Sequence, residues 1–116
     1  MREIQFYRTQ AGHCPVEEFL DSLPGKTAQK VAWVLQLIEE LDRVPATYLK
    51  KLEGTDDLWE VRVQLGGDAL RLIGFFAGKK LLILNLAFLK KTNKIPMRHI
   101  RVAESRKQEY LNKNRG

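Results

Sequence analysis

Leu58-Trp59-Glu60-Val61-Arg62-Val63-Gln64-Leu65-Gly66-Gly67-Asp68-Ala69-Leu70-Arg71-Leu72, with its continuation to Phe88-Leu89-Lys90-Lys91-Thr92, decides the fold of this 116-residue chain. Apolar and polar residues alternate from Leu58 to Leu65, the period of a half-buried strand. Trp59, Val61, Val63 and Leu65 point towards the core, and Glu60, Arg62 and Gln64 point away. A two-residue Gly66-Gly67 loop, or a four-residue loop from Gly66 to Ala69, places Arg71, Ile73 and Phe75 on the face of Arg62. A three-residue loop would bury Arg71 against the helices without a partner, which is costly.

At the next turn, Gly78-Lys79-Lys80, a two-residue loop would put Leu82, Leu84, Leu86 and Phe88 beside Arg71, and a three-residue loop would put Ile83, Asn85, Ala87 and Leu89 there. Burial of large apolar groups favours the second, with Leu82, Leu84, Leu86 and Phe88 all in the core. Lys91 then continues the row of Arg62 and Arg71. The expected site is a shallow basic concavity lined by Glu60, Arg62, Gln64, Arg71, Asn85 and Lys91, with Lys90 at its rim. Phe75 either offers a base-stacking surface or packs in the core beneath the adjoining loop, the second being favoured.

Outward from this meander, Arg2 to Thr9 alternates as a strand, with Ile4 and Phe6 on one side and Glu3, Gln5 and Tyr7 on the other. Cys14-Pro15 opens a short helix carrying Val16, Phe19, Leu20 and Leu23, ended by Pro24-Gly25. From about Lys26 to Arg43, Val31, Val34, Leu35, Ile38 and Leu41, widened by Trp33 and Leu37, form the stripe of a long helix that stops before Pro45. Trp33 is expected to pack in the core. Pro45 to Asp57 reads as a connection without period; its Lys50 and Lys51 either grip phosphate or are solvated loop lysines. Pro96 to about Lys113 predicts a basic amphipathic helix, frayed over residues 112–116. The expected fold class is α+β: an N-terminal strand, two helices, a three-stranded antiparallel meander and a C-terminal helix, in one domain spanning residues 1–116.

A hydrophobic content of 44% excludes a disordered chain, and no apolar run approaches the roughly 20 residues that span a bilayer. Met1-Arg2-Glu3 opens no apolar signal core, so cytoplasmic residence without membrane attachment is expected. One cysteine, Cys14, and two distant histidines give neither a disulfide nor zinc-ligand spacing, and no metal or cofactor is expected. The net charge of +6 suits a polyanionic partner. Converging arginines and lysines around one glutamate suit a phosphodiester, because guanidinium forks match phosphate oxygens and stabilise the charge that grows in the transition state. RNA supplies its own nucleophile, the 2′-hydroxyl. Metal-free cleavage also needs a base for that proton and an acid for the leaving 5′-oxygen. Glu60 is either that base or the ion-pair partner of Arg62 and Arg71, and His99 is either the acid or surface.

Leu58-Trp59-Glu60-Val61-Arg62, Leu70-Arg71-Leu72, Phe88-Leu89-Lys90-Lys91-Thr92, Ile95-Pro96 and Ala103, in this order and spacing, resemble the RelE/ParE toxin superfamily and within it the phage-derived HigB-like branch. The resemblance implies the toxin of a type II toxin–antitoxin system, a metal-independent endoribonuclease (mRNA interferase) that enters the ribosomal A site and cuts the messenger there. It implies that Arg62, Arg71 and Lys91 polarise the scissile phosphate and that Lys50, Lys51 and Lys90 hold RNA; from the residues themselves, Glu60 is counted with the catalytic group and His99 with the RNA-binding one. The resemblance also implies a helix-turn-helix, HigA-like antitoxin as partner. The tyrosine carried by the best-known members has no counterpart here; Met97 lies near its place and His99 two residues on, which leaves the base open. The same superfamily contains ParE-like inhibitors of DNA gyrase, the alternative reading.

Overall fold

The computed structural model describes residues 1–114. Its elements are β1 (Glu3–Phe6), α1 (Pro15–Asp21), α2 (Gly25–Glu40), β2 (Leu49–Lys51), β3 (Trp59–Leu65), β4 (Asp68–Ala77), β5 (Leu81–Leu89) and α3 (Met97–Lys113). They form one five-stranded sheet in the order β1-β5-β4-β3-β2, antiparallel except for β1, which pairs in parallel with β5. The architecture is the α+β arrangement expected. Among the described residues no helix is long and apolar enough to cross a membrane.

Helices pack on both faces of the sheet. On one, Val16 of α1 and Val31, Val34 and Ile38 of α2 bury Val61, Val63, Leu70, Leu72, Leu82 and Leu84. On the other, Ile100 and Ala103 of α3 pack with Ile73, Phe75, Ile83 and Phe88, and the Tyr110 ring meets Phe75 edge-on at 5.5 Å. Phe75 is therefore core, beneath α3. The face expected to be open is open only at the end that carries the arginines.

Several local expectations are corrected. Pro24 caps α2 and Gly25 begins it, so this pair opens the long helix as well as closing the short one. Asn112 and Lys113 are helical where fraying was expected, and the rest of that expectation, at Arg115 and Gly116, lies outside the described residues. The connection before β3 holds a short edge strand, β2, pairing Lys50 with Glu60. Trp33 leaves the core, 47% exposed on the outer side of α2.

The β3–β4 hairpin has the two-residue Gly66-Gly67 loop, pairing Leu65 with Asp68 and Arg62 with Arg71. The β4–β5 turn has three residues, pairing Ala77 with Leu81. Farther along the register slips: Gly74 pairs with Leu84, but Ile73 pairs with Leu86. Asn85 is the extra residue of a β-bulge. Its Nδ2 donates to the Ala103 carbonyl at 3.0 Å, and its own carbonyl accepts from Arg106 Nη1 at 2.6 Å, so α3 holds the bulge. Gly74 permits it: a Cβ there would lie 2.0 Å from the Ile83 carbonyl oxygen.

Past the bulge every side chain of β5 changes face. Leu86 and Phe88 turn to the α3 side and Ala87 to the α1–α2 side. Asn85, expected to line the concavity, is wholly buried. Lys90, not Lys91, follows Phe88 in the row of Arg71, and its amide donates to the Ala69 carbonyl at 2.7 Å.

Candidate functional site

Glu60, Arg62 and Arg71 meet on the α3-side face because β3 alternates and the Gly66-Gly67 hairpin sets the two arginines opposite each other. Glu60 and Arg71 are 7% and 6% exposed. The Glu60 carboxylate lies between the arginines, with Oε2 3.4 Å from Arg71 Nε and Oε1 3.7 Å from Arg62 Nε. It offsets their repulsion, which holds them side by side. Arg71 also donates from Nη1 to the Leu70 carbonyl at 2.9 Å, while its buried Nε has no hydrogen-bond partner among the described residues. Burial draws the Arg71 pKa down, Glu60 opposes this and Arg62 adds to it. The guanidinium nonetheless stays charged.

Lys90 belongs to the same electrostatic cluster. Burial lowers its pKa first, then the charge of Arg71; Glu60 opposes and Arg62 lowers it further. An ammonium of lowered pKa gives up its proton more readily than a free lysine.

Two clefts flank the cluster. The first, about 490 Å³, is lined by Lys30, Tyr48, Lys50, Arg62, Gln64 and Arg71, and places Lys50 with the arginines. The second, about 310 Å³, runs between the loop at Leu52–Thr55 and the segment Asn93–Met97, with Glu60 and Lys90 in its wall. The adjoining residue Asp56 is anchored by α3: the buried Lys107 reaches its carbonyl and carboxylate, and Glu104 accepts its amide.

The remaining candidates stand apart. Lys51 is paired with Asp57 at 2.9 Å. Lys91 is exposed and lines another cleft, about 430 Å³, with Arg98 and His99. The His99 ring stacks on Phe88, centroids 4.1 Å apart and planes 15° from parallel. Burial, with help from Arg98, lowers its pKa. The structure thus groups Glu60, Arg62, Arg71, Lys50 and Lys90, and separates Lys51, Lys91 and His99 from them. Lys30 and Tyr48 escaped the sequence reading; β2, whose pairing puts Tyr48 beside Arg62, is too short and lysine-rich to announce itself.

Chemically, the cluster presents several cations around a single buried carboxylate, with donor groups directed at an open cleft. Such a site fits a phosphate group, whose oxygens take paired guanidinium donors. Among the described residues no three His, Cys, Asp or Glu side chains come together as a metal-binding group.

No curated protein matches the chain. A family model described as "Phage derived protein Gp49-like (DUF891)" matches residues 18–108, which contain the whole charge cluster, both flanking clefts and the bulge with its α3 contacts. The protein therefore belongs to the phage-derived Gp49-like family, a RelE-like and toxin-like family.

Proposed function

We propose that this protein is the toxin of a type II toxin–antitoxin pair, of the HigB-like kind, and a ribosome-dependent endoribonuclease that cleaves messenger RNA in the A site. The observation that carries the reading is the pair Arg62 and Arg71, bridged by buried Glu60, with Lys90 beside them and an open cleft in front. Arg62 and Arg71 hold the non-bridging oxygens of the scissile phosphate. The messenger's 2′-oxygen attacks phosphorus, the new O2′–P bond forms and the P–O5′ bond breaks, leaving a 2′,3′-cyclic phosphate and a 5′-hydroxyl. As the phosphate takes over the guanidinium donors, a Glu60 oxygen becomes available to accept the 2′-hydroxyl proton. Lys90, depleted of proton affinity by burial and by Arg71, protonates the leaving 5′-oxygen. The arginines stabilise the extra negative charge of the pentacovalent transition state. Lys50 steers the RNA backbone into the cleft. A helix-turn-helix antitoxin is the partner that keeps the site silent.

The test is cell-free translation of a defined messenger with purified protein, mapping new 5′ ends with and without ribosomes. Cuts at fixed codon positions, seen only with ribosomes and lost in Arg71→Ala, are expected. A folded protein that arrests growth while leaving messenger intact would refute the reading in favour of a gyrase-type toxin.

A further inference from the structure

Trp33 is a large apolar group left 47% exposed, although its helix buries Val31, Val34 and Ile38. Two neighbours hold it in place while leaving it half exposed. Lys30 Nζ lies 4.5 Å from the ring centroid, and Tyr48 meets the ring edge-on at 5.8 Å and 76°. These two neighbours are also walls of the 490 Å³ cleft that contains Arg62 and Arg71. The Tyr48 carbonyl accepts the Arg62 amide at 2.8 Å, which fixes the aromatic pair to the strand that carries the arginine. Among the described residues, the side chains lining the cleft supply four cations, Lys30, Lys50, Arg62 and Arg71, and no carboxylate.

We infer that Trp33 and Tyr48 form a stacking platform for bases of single-stranded RNA next to the nucleotide whose phosphate sits on Arg62 and Arg71. The inference rests on the phosphate role given to those arginines above, and adds a binding subsite outside the reacting atoms. A polyanion with flat, apolar bases satisfies both halves of the surface: cations neutralise its backbone, and aromatic rings take its bases irrespective of sequence. An acidic peptide would satisfy the cations and leave the Trp33 ring unused. Lys30 serves twice, orienting the ring by cation–π attraction and meeting the strand's charge.

The probe is a short oligouridylate, which has no structure of its own, titrated without ribosomes into the Trp59→Phe protein so that Trp33 alone reports by fluorescence. Quenching of Trp33 on binding is expected. Trp33→Leu is expected to weaken binding about tenfold, and Trp33→Phe to retain most of the affinity. Because Trp33 is half exposed, neither change empties the core, and far-ultraviolet circular dichroism confirms the fold of each. Unchanged emission together with equal affinity of Trp33→Leu overturns the platform and leaves Trp33 to a protein partner. Quenching by RNA in a protein that never cuts messenger on ribosomes upholds the platform and overturns the nuclease. Full cleavage by Trp33→Leu, with no quenching in the parent, overturns the platform alone.

Discussion

Gly74→Ala adds one methyl group at the point where β4 and β5 change register, and its cost follows from the geometry. The added Cβ would stand 2.0 Å from the Ile83 carbonyl oxygen, 2.8 Å from its carbonyl carbon and 2.9 Å from Leu84 Cα, all backbone atoms that cannot rotate away. Reaching ordinary contact at 3.4 Å requires a shift of roughly 1.4 Å in β5, more than a ladder hydrogen bond tolerates. Overpacking of this kind costs about 1–3 kcal/mol, and weakening one or two ladder bonds adds about 1 kcal/mol each. A destabilisation of about 3 kcal/mol is expected, which lowers Tm by roughly 10 °C in a chain of this size. Urea unfolding followed by circular dichroism measures it. Gly25→Ala, in open space at the start of α2, is the control and is expected to be neutral or slightly stabilising. If the two alanine variants unfold within about 0.5 kcal/mol of each other, the bulge does not depend on close approach at Gly74 and the reasoning fails.

Three further outcomes separate the roles assigned above. Lys90→Ala is expected to lose about 10²–10³-fold in cleavage rate while Lys91→Ala loses little, measured by primer extension; equal losses would contradict the register of β5. Glu60→Gln leaves the guanidinium of Arg71 buried without its counter-charge, and a loss of about 3 kcal/mol in urea stability is expected, with wild-type stability as the refuting result. Burial, the hydrogen bond to Glu109 and the charge of Glu109 push the Tyr7 pKa up from 10.0 to about 12, against the opposing charge of Arg106. The folded state therefore favours the neutral phenol. Its contribution is complete below pH 10 and is lost as pH rises towards about 12, so the alkaline fall in stability over that window should diminish in Tyr7→Phe.

The paired arginines were legible because two independent signals agree on them. Alternation in β3 and the Gly66-Gly67 loop both place Arg62 and Arg71 on one face, and an unpartnered arginine in the wrong layer would be costly. The three-residue turn at Gly78-Lys79-Lys80 was legible too. What followed it was not, since an alternating pattern continued past Asn85 gives every later residue to the wrong face. The local signal for the slip is Gly74, a glycine inside a strand, which marks a bulge or a close backbone approach. The second core was missed for a related reason: Ile73 and Phe75 beside Arg71 are large apolar groups on a face taken to be open, and α3 covers them. Trp33 was misplaced because a helical stripe wide enough to include it fits the sequence, whereas the packed surface is narrower.

The bulge also acts as an inversion of phase. Before residue 85 the even-numbered large residues, Leu82 and Leu84, serve the α1–α2 layer; after it the even-numbered Leu86 and Phe88 serve the α3 layer. One strand with an unbroken even-numbered rhythm thereby feeds two separate interiors, and the phase of its last residues is set by whatever holds Asn85. That hold comes from α3, through Ala103 and Arg106. A helix on the far side of the sheet from α1 and α2 thus decides which of two adjacent lysines lies in the row of the arginines: in the regular phase Leu89 would occupy the place of Lys90, and Lys91 would follow one step farther from Arg71.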